Sequence, residues 1–337
     1  MSKVREVARL GEKDRKELFR ATAQAMEVHE AIIEKDFWVC WVLDFLFSRS
    51  QWKERLAFKG GTSLSKAYAI IERFSEDIDL ILDWELLGYS KEPWQNRSIT
   101  QQNRFSQEAN RRAACFLADH MGPDLSQQLS EQAGTRVQVR TTDQDVLITY
   151  PRAFSLDYIL PEIRLEIGPL AAWVPNEEKQ ITPYAAERFP VVFSQASTGV
   201  RTILAERTFW EKATILHQEA HRTEGRPLPA KYSRHYYDVH RLCCSPVCVS
   251  ALERIDLLEE VVEFKARFYH CSWAKYEEAR PGSLKLLPPD YRVEDLRRDY
   301  RNMQAMLFGQ VPTFEDIMRT ISRLESSING NGSAPIG

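Results

Sequence analysis

Lys59-Gly60-Gly61-Thr62-Ser63 is followed, one short helix later, by Asp77-Ile78-Asp79-Leu80. Two successive glycines let the backbone approach a ligand with no Cβ in the way. A helix opening at that point presents free N–H groups and its positive end to an anion. Thr62 and Ser63 add hydroxyls and Lys59 adds a cation, so the five residues together suit a triphosphate. Taken alone, a Gly-Gly-Thr helix entry is an ordinary N-cap. The aspartates change its meaning. Strand alternation puts Asp77 and Asp79 on one face, with Ile78 and Leu80 turned to the core. Like charges about 7 Å apart along one face repel unless a cation lies between them. Hard divalent cations take carboxylate oxygens, and Mg²⁺ typically uses one or two carboxylates together with substrate phosphates. Such ions stabilise the attacking and leaving oxygens of phosphoryl-type transfer. A phosphate cradle and a metal-binding carboxylate pair are the equipment of nucleotidyl transfer, with an NTP as substrate and Mg²⁺ or Mn²⁺ as the metal.

A third carboxylate is needed to orient or deprotonate the attacking hydroxyl. Residues 159–167 alternate, with Ile163, Leu165 and Ile167 on one face and Glu162, Arg164 and Glu166 on the other. Glu166 is the first candidate and Glu162, on the same face, is its rival. The plain alternative is that both face solvent beside Arg164.

The elements that must position these groups are legible in outline. Residues 13–48 read as one or two helices and 56–58 as a short strand running into the glycine turn. Leu64, Ala67, Tyr68 and Ile71 mark one face of a helix over 62–74, and 77–82 is a strand. Residues 99–131 read as a long polar helix pair, and 137–141 and 145–150 as strands. Pro169, Pro175 and Pro183 mark loops, and from about 201 to 329 the pattern is helical. The expected organisation is therefore α+β: a catalytic domain over 1–200 and a helical domain over 201–329 that completes the cleft. Residues 330–337 are expected to be a frayed, flexible tail.

Composition fits a soluble globular protein. The 337 residues are 43% hydrophobic and 28% charged, with a net charge of −3, so the whole chain is not a basic nucleic-acid binder. The longest apolar run, 37–47, is too short to cross a bilayer and is broken by Asp44. The charged first twenty residues lack a signal-peptide core, and the six cysteines show no CxxC spacing. Reduced thiols, a cytoplasmic location and no membrane partner are the expectation.

The stretch from Phe58 through Tyr68, then Arg73 to Leu80, resembles the AbiEii/AbiGii toxin family of nucleotidyltransferases. Glu34-Lys35-Asp36-Phe37-Trp38-Val39 is similar to the family's N-terminal helix signature. Glu211-Lys212 and the Arg234 to Asp238 stretch resemble its downstream lysine and aspartate motifs. Asp299-Tyr300, Met303, Met306 and Pro312-Thr313-Phe314 match the longer members, so the resemblance covers nearly the whole chain. It implies a DNA polymerase β-like nucleotidyltransferase core with a mixed sheet. It implies the toxin half of a type IV toxin–antitoxin system, often linked to phage defence, whose cognate antitoxin can act without a stable complex. Some members transfer nucleotides from NTP to the tRNA 3′ end, so an RNA acceptor is implied. Asp77 and Asp79 become metal ligands, Lys59, Gly60, Gly61, Thr62 and Ser63 surround the phosphates, and Lys212 and Asp238 complete the site. The spacing from the glycine turn to the aspartates exceeds that of the compact members. This is expected to lengthen the intervening helix without moving its ends.

Read physically, Lys212 lies at the edge of the apolar stripe Phe209, Ala213 and Leu216. There it either snorkels or neutralises charge on a triphosphate. Asp238 has Arg234 at i−4 as its simplest partner, or it contacts Lys212 or the nucleotide. His217 and His221 lack the zincin order and are expected at the surface. Cys243, Cys244 and Cys248 lack a zinc pattern. Arginines 97, 104, 111, 112, 136 and 140, and 292, 297, 298 and 301, could line the path of an acidic polymer, but each set is interleaved with acids. Two other readings compete: transfer to a protein or small molecule, and a non-catalytic nucleotide-binding module. The second has no use for paired metal carboxylates.

Overall fold

The computed structural model describes residues 3–75, 77–89, 95–156, 159–193 and 195–330. The frayed tail expected over 330–337 thus lies almost wholly outside the described residues. The chain divides into two compact units, one of 1–68 with 75–203 and one of 69–74 with 204–337.

The first unit contains helices α1 (Lys3–Ala8), α2 (Glu12–Met26), α3 (Glu30–Ser48), α4 (Gly60–Lys66), α5 (Ile99–Phe116), α6 (Gly122–Ala133) and α7 (Tyr184–Arg188). Its strands are β1 (Leu56–Lys59), β2 (Asp77–Leu82), β3 (Val139–Thr141), β4 (Asp145–Thr149), β5 (Glu162–Gly168), β6 (Asn176–Ile181) and β7 (Thr198–Ile203). The strands form one mixed sheet in the order β3-β4-β5-β2-β1-β7-β6. The α+β class and the nucleotidyltransferase-type mixed sheet agree with the sequence reading. Among the described residues no helix is long and apolar enough to cross a membrane.

Helix α3 is buried along nearly its whole length, because it is apolar all round rather than on one stripe. Its Trp38 meets Phe37 and Trp41 edge-on at 5.3 and 5.2 Å and stacks on Tyr150 at 5.8 Å. The sheet offers this core Phe58, Ile78, Leu80, Ile163, Leu165 and Ile167. A small apolar cluster, Ala57, Ile81, Ala171 and Ile203, packs on the sheet's other face. Strand alternation leaves Asp77 and Asp79 on that second face.

Two strands escaped the sequence reading. β6 reads Asn-Glu-Glu-Lys-Gln-Ile, an edge strand with one fully buried residue and no apolar alternation. β7 lies beside β1 in parallel, yet it ends at Ile203, and a helix begins at Ala205. A helical pattern starting near 201 therefore ran through its end.

The helix expected over 62–74 is also corrected. It ends at Lys66, and Ala69 takes a left-handed φ of 52°. Residues 69–74 then belong to the second unit. The longer spacing does not lengthen the helix. It supplies an irregular segment instead, with one isolated bridge from Arg73 to Leu307. The apparent stripe Leu64-Ala67-Tyr68-Ile71 came from residues buried for separate reasons. Tyr68 donates to Glu177 and to the Ile203 carbonyl, both at 3.0 Å, whereas Ile71 is buried beyond the break.

The second unit holds α8 (Ala205–Ala220), α9 (Ser233–Cys243), α10 (Val247–Leu252), α11 (Ile255–Phe268), α12 (Asp290–Met303) and α13 (Phe314–Ile328). Segment 69–74 is held there by backbone and side-chain bonds. The Phe74 N–H donates to the Met306 carbonyl at 2.7 Å, Phe308 N–H to the Glu72 carbonyl at 2.9 Å, and Arg241 to the Ile70 carbonyl at 3.1 Å. At its centre Asp238, with no exposed surface, accepts from Arg73 at 2.7 and 2.9 Å and lies 2.7 Å from Lys212 Nζ. Arg234 is not the partner. Burial opposes ionisation of Asp238, but the charges of Arg73 and Lys212 overcome it and hold the carboxyl well below its usual range. Removing that carboxylate would leave two buried cations unanswered. Asp238→Ala is expected to cost about 3–5 kcal/mol of stability, measurable as the loss in denaturant midpoint against Arg234→Ala, which should stay near wild type.

Candidate active site

β1 runs directly into the glycine turn. Lys59 is extended, and Gly60 takes φ +80° as α4 begins. An ideal Cβ at Gly60 would lie 2.0 Å from Asp79 Oδ2 and 2.7 Å from Asp79 Cγ. Glycine is therefore required twice, by the sign of φ and by the carboxylate lying against the bare Cα. The Thr62 hydroxyl donates to the Asp77 carbonyl, and Ser63 Oγ donates to the Gly60 carbonyl at 2.8 Å. Both hydroxyl protons are thus committed locally, and Thr62 laces the turn to β2 at the aspartates. With seven residues, α4 has little macrodipole. What it offers an anion is the set of first-turn N–H groups that no helix can satisfy internally.

The sheet register assembles the rest. Lys59 is opposite Asp79, Asp79 is opposite Glu166, and Glu166 is opposite Asp145. Directly opposed residues share a face, so one cation and three carboxylates form a row across β1, β2, β5 and β4. Asp77 starts the neighbouring row opposite Arg164. Arg164 donates to Asp145 at 3.1 and 2.9 Å and lies 3.4 Å from Glu166. Burial, then the charges of Asp79 and Asp77, push Glu166 up to about 7, against the pull of Arg164.

Glu162 is placed elsewhere. Pairing between β2 and β5 begins at Asp77 with Arg164, so Glu162 lies beyond the end of β2. It faces Thr149, and its carboxylate accepts from Arg140 at 3.2 Å. Sequence reasoning missed Asp145 and gave Arg164 no role; only strand order could bring them in.

A divalent cation fits the aspartates. Asp77 Oδ1 is buried and has no hydrogen-bond partner among the described residues, and a buried carboxylate oxygen left so is costly unless a cation takes it. Asp77 and Asp79 are the residues that would hold it.

The other candidates are also placed. Lys59, Gly60, Gly61, Thr62, Asp77, Asp79 and Glu166 meet in the first unit. Lys212 and Asp238 are paired with each other in the second. His217 is wholly buried rather than at the surface; its ring bonds to the Lys275 carbonyl at 3.1 Å and to the Lys285 N–H at 3.0 Å. Arg111 and Arg112 are held by Glu108, Arg140 by Glu162 and Arg297 by Glu294. Arg292 is buried near Glu219. Arg104 and Arg136 are exposed, without an ion pair among the described residues.

A mixed sheet whose central strand carries two aspartates beside a Gly-Gly turn defines the class, a nucleotidyltransferase. The profile described as Nucleotidyl transferase AbiEii toxin, Type IV TA system, matches residues 41–320, and the chain belongs to that family. It is a nucleotidyltransferase toxin of a type IV toxin–antitoxin system. Among solved structures it is similar in fold to MenT4, a nucleotidyltransferase toxin from Mycobacterium tuberculosis H37Rv. The identity is 12%, the TM-score 0.50, and the match covers 94% of this chain and 90% of that one. No curated protein matches it in sequence.

Two outcomes are expected. Gly60→Ala displaces Asp79 and adds about 1–2 kcal/mol of left-handed strain, so the variant should melt lower and lose transfer. Glu166→Gln tests the crowded charge. An acid whose folded pKa lies above its unfolded 4.5 destabilises increasingly as pH rises through 4.5 to 7, and below that window the effect vanishes. Glu166 is 41% exposed, so solvent screening reduces the gain from Gln to about 1 kcal/mol at pH 8. The melting-temperature difference between variant and wild type, without divalent ions, should grow from pH 4.5 to 8 and shrink when Mg²⁺ is added.

Proposed function

We propose that the protein transfers a nucleotide from an NTP to an RNA acceptor, the 3′ end of tRNA, with Mg²⁺ as the metal. What carries this reading is the register that sets Glu166 opposite Asp79 beside the Gly60 turn. Asp77 and Asp79 hold the cation, which when bound neutralises the triphosphate and stabilises the leaving oxygen. Lys59 and the first-turn N–H groups of α4 hold the phosphates. Glu166, lying on a neighbouring strand, orients the attacking hydroxyl and accepts its proton. Such an arrangement works by positioning and charge stabilisation rather than by covalent catalysis. Lys212 and Asp238 keep the role in transfer that the family likeness gives them, in addition to their place in the second unit. The RNA acceptor rests on that likeness, with the exposed Arg104 and Arg136 available for phosphates. The protein acts in the cytoplasm, against an antitoxin that need not form a stable complex with it.

The test is transfer of label. Purified protein is incubated with each labelled NTP, Mg²⁺ and total RNA, and the label is followed. Label at the tRNA 3′ end, lost with EDTA and in Asp77→Ala and Asp79→Ala variants that remain folded, is the expected result. Label on protein or on a small metabolite would replace the acceptor. Undiminished transfer by either aspartate variant would remove the metal role assigned to it.

A further inference from the structure

Glu34, Lys35 and Asp36 are consecutive, ionisable and almost wholly buried in the first third of α3. Successive helical residues point about 100° apart, so the three reach three different segments. Glu34 accepts from the Ala153 and Phe154 N–H groups at 2.8 and 2.9 Å. Lys35 Nζ donates to the Leu160 carbonyl at 3.0 Å and to the Glu162 carbonyl at 2.6 Å. Asp36 accepts from the Tyr184 N–H at 2.7 Å, and its other oxygen lies 2.7 Å from Lys66 Nζ. That ammonium also sits 3.7 Å from the centre of the Tyr184 ring.

Two of these ties end on elements that carry the candidate site residues. Lys66 is the last residue of α4, the helix that Gly60 and Gly61 open. Glu162 is the first residue of β5, which carries Glu166. We infer that Asp36 and Lys35 are positioning residues for nucleotidyl transfer: the Asp36–Lys66 pair fixes the phosphate-binding turn, and Lys35 fixes the strand that presents Glu166. The inference rests on the site assignment above. An apolar contact could supply the stability of a buried ion pair, often more cheaply. What it does not supply is a fixed direction. A charge pair between a long side chain and a carboxylate already aimed by a backbone N–H holds α4 at one distance from α3. Lys35, with two carbonyls on one ammonium, holds the entry of β5 against the same helix.

The two anchors act on different parts of the reaction, and this separates positioning from mere stability. In Asp36→Asn/Lys66→Met both buried charges are removed, so the variant should fold with a melting temperature close to wild type. Its KM for NTP should rise about tenfold with kcat within about twofold. In Lys35→Met the phosphate turn keeps its anchor, so kcat should fall about tenfold with KM for NTP unchanged. Kinetics are normalised to the folded fraction from circular dichroism. Wild-type KM in the folded double variant, or wild-type kcat in folded Lys35→Met, would overturn the corresponding anchor. Should Lys35→Met not fold, Lys35→Arg replaces it, with the same split expected and the same result overturning it. Absence of transfer by the wild-type protein to any acceptor would instead strike at the site assignment itself.

Discussion

Carboxylates crowded onto one face of a sheet are the constraint from which the rest of this molecule follows. Asp79, Glu166 and Asp145 are set side by side by strand register, with Asp77 one row away. Backbone hydrogen bonding keeps them there although their charges repel. The effect is visible in Glu166, pushed up to about 7, and in Asp77 Oδ1, buried without a partner among the described residues. Arg164 relieves part of the repulsion through Asp145 and Glu166. In the function proposed above, a cation held by Asp77 and Asp79 together with nucleotide phosphates would relieve the rest.

Buried ionic ties hold the elements that carry this face. The Gly60 turn is laced to β2 by Thr62, packed against Asp79 where no Cβ is possible, and opens a helix whose last residue is Lys66. In the second unit the same device recurs, with Asp238 answering both Arg73 and Lys212. Both pairs are removed from water, where charge attraction is strong but loss of one partner is severe. They make poor sources of net stability and good sources of fixed geometry.

Where the sequence misled, it did so for identifiable reasons. Helical periodicity over 62–74 was a coincidence of residues buried separately, and Ala69 at positive φ gave no warning because alanine favours helix. β6 lacked apolar alternation since it is an edge strand, and β7 was hidden by the helix that follows it so closely. His217 looked like a surface residue, yet two backbone groups satisfy its ring in the interior. Asp238 has a cation at i−4, but its partners come from 165 and 26 residues away in the chain (73 to 238, and 212 to 238).

Local chemistry was settled by the sequence itself. A glycine pair entering a helix, aspartates at i and i+2 on a strand, and an apolar helix carrying Glu34-Lys35-Asp36 are all short-range patterns, fixed by φ/ψ sterics and side-chain alternation. Tertiary structure alone decided which glutamate joins the aspartates. Glu162 and Glu166 are equivalent in pattern, on the same face of the same strand. Only the parallel register of β2 with β5, set by packing between segments some eighty residues apart, puts Glu166 opposite Asp79 and leaves Glu162 to Arg140. Alternation along one strand carries no information about which residue of another strand will lie beside it.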